Sequence, residues 1–333
     1  DSFGDDFIVL DINTFVSSTM KEVVAPKLQS FVHMGWGADF GDPINFLTQI
    51  IVHDDNAYYS CNMTNIAGIV NNGPASYQTE LVAAYEKFTD LVNEGRASTR
   101  LGLAGWPAAG EEIEIARDIE LCRLTGCALH ICHISTRKGL DLVRAAKADG
   151  LPVTCEVTPH HLFLCEDDIT DAYYTNLKMN PPLRTADDAA ALREGLLDGS
   201  IDCVVTDHAP HAPHEKDCEW EISFFGIVGL ETSLPLMLQN LVATGKMSWS
   251  RLVEVMAVNP RRLLRLDPVC VKAGSAADLT LIDPAKSVTV TPEWMQSRSK
   301  NSAWLGQTLT GIATDVFVSG KRTLADGVVT PQH

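Results

Sequence analysis

Three apolar runs in the middle of the chain set its architecture. "CALHICHIS" (127–135), "LPVTCEVTPH" (151–160) and "IDCVVTD" (201–207) are short and bounded by turn residues, as expected of strands buried on both faces. Between them the period changes to that of a helix. After the first run, Leu140, Val143 and Ala146 fall on one face, with Ser135 or Thr136 placed to cap the N-terminus and Gly150 placed to end the helix. After the second, Thr185 and Asp188 have the spacing of a capping pair, Ala189, Leu192 and Leu196 line one face, and Gly199 stops it. Strand, helix, strand, helix, strand over 127–207 predicts a parallel sheet covered by helices.

The flanks read differently. Residues 79–92 and 112–124 each carry a helical period, with no convincing strand between 93 and 127. "FVHMG" (31–35) and "AYYSCNM" (57–63) are candidate strands. In the tail, 273–294 and 311–329 alternate at period two between Gly and Pro turns, which predicts a small antiparallel β module from about residue 268.

Polar residues gather where the three strands end: His133 on the first, Glu156 to His161 on the second, Asp207 to His211 on the third. Barrels and open α/β sheets build their sites at that end. Alternation puts His130 and Cys132 on one strand face and Ile131 and His133 on the other. Only one histidine then points inward. His133, nearer the strand end, is the candidate metal ligand, and His130 is expected to be satisfied on the helix-facing side. A lone strand histidine is also commonly a satisfied core residue. Asp207 closes an apolar strand, where a carboxylate must be paired, hydrogen-bonded or metal-bound; capping the next helix is the plainer alternative. In "LKMNPPLR" (177–184), Pro181 favours extended backbone at Asn180, whose amide then meets a planar polar ligand or simply makes a turn. Arg184 is a candidate carboxylate partner, with pairing to a surface acid the blander reading. The Gly-punctuated "FFGIVGLE" (224–231) leads into a helix with free backbone N–H groups.

Charge narrows the partners. With 26 basic and 43 acidic side chains the net charge is −17, which argues against nucleic acid and anionic membrane. Nine cysteines without a C-x-x-C pair point to a reducing, cytoplasmic compartment. The opening residues lack a basic n-region, so a signal peptide is not expected. No apolar run approaches the roughly 18 residues of a membrane span.

The ordered motifs "NEGRASTRLGLAGWPAAGEE", "HICHIST", "EVTPHHL", "MNPPLR", "TDHAPH", "FGIVGLE", "NPRRLL", "ADLTLID" and "KNSAWLGQTLTG" cover about residues 92–328. In them the chain resembles the class I dihydroorotases of the amidohydrolase superfamily. The resemblance implies a (β/α)8 TIM-like barrel over 29–267 and a small β module built from 1–28 and 268–333. It implies a cytoplasmic zinc enzyme, with one or two Zn2+ ions per subunit, that reversibly cyclises N-carbamoyl-L-aspartate to L-dihydroorotate in pyrimidine biosynthesis. His133 is then a zinc ligand and Asp207 a zinc ligand and the acid/base. Asn180 and His211 contact substrate, and Phe225 and Gly226 present backbone to its ring. A homodimer is expected, with a possible aspartate transcarbamoylase complex.

Before residue 92 the pattern departs. Phe31 stands where the family's first histidine belongs, His33 matches the second metal ligand, Gly35 replaces an arginine, and Asn65 matches a substrate asparagine. The family's third to fifth strands find no counterpart. The reading adopted is that family segments are missing from the numbered chain. A catalytically inactive partner subunit and a hydantoinase- or allantoinase-type cyclic amidase are the alternatives.

Overall fold

The computed structural model describes residues 91–268 and 270–330. The expected β segment at 1–28, the strands near His33 and Asn65, and most of the helix beginning at 79 lie outside the described residues.

The described chain opens with a parallel pair that the sequence pattern does not reveal. β1 (Val92–Asn93) pairs with β2 (Gly105–Trp106) around the short helix α1 (Arg96–Leu101). Two residues per strand are too few to show a period. α2 (Ala108–Thr125) then runs longer than the expected 112–124 and ends at Gly126, whose φ of 74° is the left-handed C-cap conformation.

The βα units follow in the expected order. β3 (Leu129–Ile131), β4 (Val153–Val157) and β5 (Cys203–Val204) form a three-stranded parallel sheet in that order. His130 stands opposite Thr154, and Glu156 opposite Cys203. α3 (Arg137–Ala148) is capped by the Thr136 hydroxyl, which accepts from Gly139 N at 3.0 Å. The short helix α4 (Pro159–Phe163) follows β4 directly. α5 (Ala186–Asp198) has the reciprocal Thr185–Asp188 capping box and stops at Gly199.

One face of this sheet is the core. Ile131, Val153, Cys155, Val157 and Val204 pack against Ile115 of α2, Leu140 and Val143 of α3, and Leu192 and Leu196 of α5. Burying each large aliphatic side chain is worth about 1.5–3 kcal/mol, so this face fixes the strand register. α3 and α5 approach most closely at Gly195, where a Cβ would lie 2.5 Å from a Leu140 methyl.

α6 (Pro213–Lys216) and α7 (Leu230–Met237) follow β5, then α8 (Trp249–Val253) and α9 (Asn259–Leu263). β6 (Leu279–Thr289), β7 (Thr308–Val318), β8 (Lys321–Ala325) and β9 (Val328–Val329) make a four-stranded antiparallel sheet. It seats on the end of α7: Thr310 N donates to Gln239 Oε1 at 3.0 Å, and Leu309 and Val290 share a core with Leu236. The described residues thus form a mixed α/β structure whose parallel strands lie in one three-stranded sheet and one pair.

Candidate active site

The site lies on the face of the parallel sheet that the helices leave uncovered. Along β4, Val153, Cys155 and Val157 enter the core, so Thr154 and Glu156 point the other way. His130 joins them. Its Nε2 donates to Glu156 Oε2 at 3.0 Å, and its Nδ1 shares a hydrogen bond with the Thr154 hydroxyl at 2.8 Å. The expectation that His130 faces the helices is therefore wrong; Ile131 does so.

Strict alternation would then turn His133 away, but the strand ends at Ile131 and His133 takes φ 34°. That left-handed turn, uncommon for a non-glycine residue, swings the ring back. His133 Nδ1 lies 3.5 Å from Glu156 Oε1, so Glu156 holds both histidines. Burial alone would lower the His133 pKa, but the Glu156 hydrogen bond and the charges of Asp207 and Glu156 raise it overall. Against the opposing cost of burial, the same two histidines draw Glu156 down to about 2. Glu156 is thus an ionised anchor, a role that the sequence pattern did not single out.

Asp207 sits beyond β5, also in a left-handed turn at φ 43°. It caps no helix; α6 starts at Pro213. Burial raises its pKa, opposed by the His133 charge and reinforced by Glu156. Two strained non-glycine turns at adjacent strand ends fit the rule that backbone strain collects at functional sites.

Cys132 completes an electron-rich cluster. Burial and Glu156 push its thiol up to about 11. One ligand atom each from His130, Cys132 and Glu156 lie within 4.8 Å of one another. Imidazole, thiolate and carboxylate are a zinc-type donor set. The charges acting most on Glu156 come from His130 and His133, and those on Asp207 from His133 and Glu156. No lysine or arginine ranks among them. The donors and the charge both fit a divalent cation.

The neighbouring loops carry the other candidates. Asn180 makes no hydrogen bond to a described residue, so its amide is free. It stands in an anchored segment: His161 donates from Nε2 to the Pro181 carbonyl at 2.9 Å and accepts at Nδ1 from Thr158 at 2.8 Å. Burial drives His161 down to about 3, so it stays neutral in this role. His211 donates from Nε2 to the Phe225 carbonyl at 2.7 Å and stacks on Phe224. Gly226 is spoken for at both ends: its N–H donates to the Lys178 carbonyl at 2.8 Å, and its carbonyl accepts from Lys216 and Asn301. The Phe225 N–H has no protein partner among the described residues. Gly226 has φ 94°, and a Cβ there would lie 2.7 Å from Ala209 Cβ. His208 accepts at Nδ1 from Gly229 N at 3.1 Å and so braces the start of α7, while His214 is exposed.

Arg184 is neither a substrate clamp nor a surface pair. It is buried, and its guanidinium donates to Asn93 Oδ1 at 3.0 Å, the Trp106 carbonyl at 2.9 Å and Ser135 Oγ at 3.1 Å, with Glu111 at 3.5 Å. It ties β1 and β2 to the loop after β3. His33 and Asn65 lie outside the described residues.

Comparison with known proteins agrees with this geometry. Residues 104–323 match the amidohydrolase family. A dihydroorotase of Trichlorobacter lovleyi is 51% identical over 231 residues, covering 69% of this chain and 54% of that protein. One of Leifsonia xyli is 45% identical over 240 residues, covering 72% and 55%. Among solved structures, an L-hydantoinase of Arthrobacter aurescens matches with a TM-score of 0.65 and 33% identity, over 69% of this chain and 52% of that one. The chain therefore spans about half the length of the curated relatives it matches. The family match extends from β2 to β8 and takes in every strand-end residue of the cluster, and the chain belongs to the amidohydrolase family.

Proposed function

We propose that the chain belongs to a dihydroorotase, a hydrolase that opens and closes the cyclic amide of dihydroorotate in pyrimidine biosynthesis. The observation that carries this reading is the convergence of His133, Glu156 and Asp207 at the ends of adjacent parallel strands. The free Asn180 amide and the His211–Phe225 loop support it. The likeness to dihydroorotases of 45–51% identity supports dihydroorotate over hydantoins. A TIM-like barrel with a small β module is the architecture that the family match and the hydantoinase likeness support. The domain limits stay 1–28, 29–267 and 268–333.

His133 and Asp207 would hold a zinc ion, with Glu156 orienting His133 through its Nδ1. Bound there, the ion would supply Lewis-acid polarisation of the ring carbonyl and lower the pKa of water. The protein's own residues do the rest. Asp207, its pKa raised by burial, takes the proton of the attacking water and returns it to the leaving ring nitrogen. Asn180 and the Phe225 N–H address the polar edge of the ring, and His211 fixes the loop that bears Phe225. His33 and Asn65 remain in this reading as the second histidine ligand and a further substrate contact. No helix among the described residues is long and apolar enough to cross a membrane; a cytoplasmic homodimer is the proposed setting.

The test is turnover of carbamoyl-aspartate and dihydroorotate by the zinc-loaded chain, run beside a panel of hydantoins. Turnover of dihydroorotate that is lost in Asp207→Ala is the expected result. Neither turnover nor binding of dihydroorotate would sink the reading, and preference for hydantoins would move it to the hydantoinase class.

A further inference from the structure

Residues 220–226 form the loop that carries Phe225, and two buried lysines converge on its carbonyls. Lys178 is 1% exposed. Its ammonium donates to the carbonyls of Trp220 at 2.7 Å, Glu221 at 3.2 Å and Ser223 at 2.6 Å. Lys216, 6% exposed, donates to those of Phe224 at 2.6 Å and Gly226 at 3.2 Å. His211 takes the Phe225 carbonyl. Three carbonyls to Lys178, two to Lys216 and one to His211 leave only that of Ile222 without a side-chain donor.

Apolar burial does not hold this loop. Trp220 is buried, but Ile222 is 66% and Phe224 42% exposed. The loop is irregular backbone, and its carbonyls cannot be satisfied within it. A lysine suits the task because its stem is apolar and its head has three rotatable donors. The Phe225 ring lies over Lys178 Nζ at 4.4 Å and closes the apolar side of that ammonium. Lys178 also receives the loop through its backbone, since Gly226 N donates to its carbonyl.

We propose that Lys178 and Lys216 are positioning residues that hold the 220–226 loop, carbonyl by carbonyl, in the conformation that leaves the Phe225 N–H free for substrate. The identity of that substrate rests on the dihydroorotase reading; the clamp itself does not. The two lysines divide the work. Three acceptors at Lys178 use every proton of an ammonium. Two acceptors at Lys216 are also satisfied by a neutral amine, and burial together with the Lys178 charge brings Lys216 down to about 7. A cavity of about 470 Å³ opens onto Lys216, lined also by His211, Tyr174, Lys300 and Asn301. It gives a small amine access to the place of the Lys216 head group.

The experiment is amide hydrogen exchange of the full chain, comparing wild type, Lys178→Met and Lys216→Ala. Stranding buried carbonyls should raise exchange in peptides covering 219–228 by about tenfold or more, most in Lys178→Met, with α3 and α5 unchanged. Methylamine should restore protection in Lys216→Ala, and tetramethylammonium, which has no N–H, should not. In turnover assays Lys216→Ala should raise KM for dihydroorotate by about tenfold with kcat within about twofold. Exchange within twofold of wild type in Lys216→Ala, or no response to methylamine, overturns the clamp. If Lys178→Met does not fold, Lys216→Ala alone decides. A wild type without turnover would refute the dihydroorotase reading, and the exchange result would still decide the clamp.

Discussion

The strand-end cluster and the 220–226 loop handle buried polarity in opposite ways. At the strand ends, Glu156 and Asp207 face Cys132 and two histidines, and no lysine or arginine ranks among the charges acting most strongly on them. In the loop, backbone carbonyls converge on two ammonium groups that the chain supplies itself. The difference separates what the fold finishes from what it leaves to be finished. The loop is electrostatically complete as folded. The cluster carries excess negative charge in a partly buried place, which costs stability unless a cation arrives.

The largest effect expected of that contrast is at Asp207. Its carboxylate is raised by burial and placed to exchange a proton, so Asp207→Asn should lower kcat by about 10²- to 10⁴-fold. Because the change also removes a desolvated charge, the melting temperature should not fall. Steady-state turnover and a thermal melt together read this out. Retained turnover would show that the cluster is not where the proton moves.

Glu156 comes next, because it joins the two histidines. Glu156→Gln keeps the size but removes the charge that orients His133, and zinc affinity should drop by about 10- to 100-fold. Titration calorimetry with zinc gives the number directly. An unchanged affinity would mean that the cluster's negative charge is not what receives the ion, and the contrast with the loop would collapse.

Much of this was legible in the sequence where structure is local. The Thr136 cap, the Thr185–Asp188 box, and the apolar stripes of α3 and α5 depend on neighbours a few residues apart. The strand ends stood out because polar residues closed apolar runs. What failed was anything set by a single backbone angle or by distant partners. His130 was assigned to the wrong face because alternation assumes a continuous strand, and φ 34° at His133 breaks the parity. Arg184 and Lys178 read as surface charges by residue type. Their burial depends on acceptors from Asn93, Trp106 and Ser135 for one and Trp220 to Ser223 for the other. No local pattern announces such long-range convergence.

A smaller effect tests the loop's backbone. Gly226 adopts φ 94°, and a Cβ there would sit 2.7 Å from Ala209 Cβ. Gly226→Ala should therefore cost about 1–2 kcal/mol in the left-handed region, seen as a rise of about tenfold in KM for dihydroorotate with zinc affinity untouched. A fall in zinc affinity instead would show that loop and cluster are not separable.

The smallest effect concerns the charge that the loop supplies. Lys216 has its pKa lowered from 10.5 to about 7, chiefly by burial and then by Lys178. Between those values the unfolded chain holds a proton that the folded chain has released. Stability should then rise with pH across that window, by at most about 1.4 kcal/mol per pH unit from this group. Below about pH 7 both states are protonated and the contribution is flat. Other groups titrate in the same range, so the informative quantity is the difference in melting temperature between wild type and Lys216→Met from pH 7 to 10. It should grow in favour of wild type as pH rises, because a neutral amine still gives two N–H groups to Phe224 and Gly226. Parallel curves would mean that Lys216 stays charged throughout, and the loop would then be held by two cations rather than by one cation and one amine.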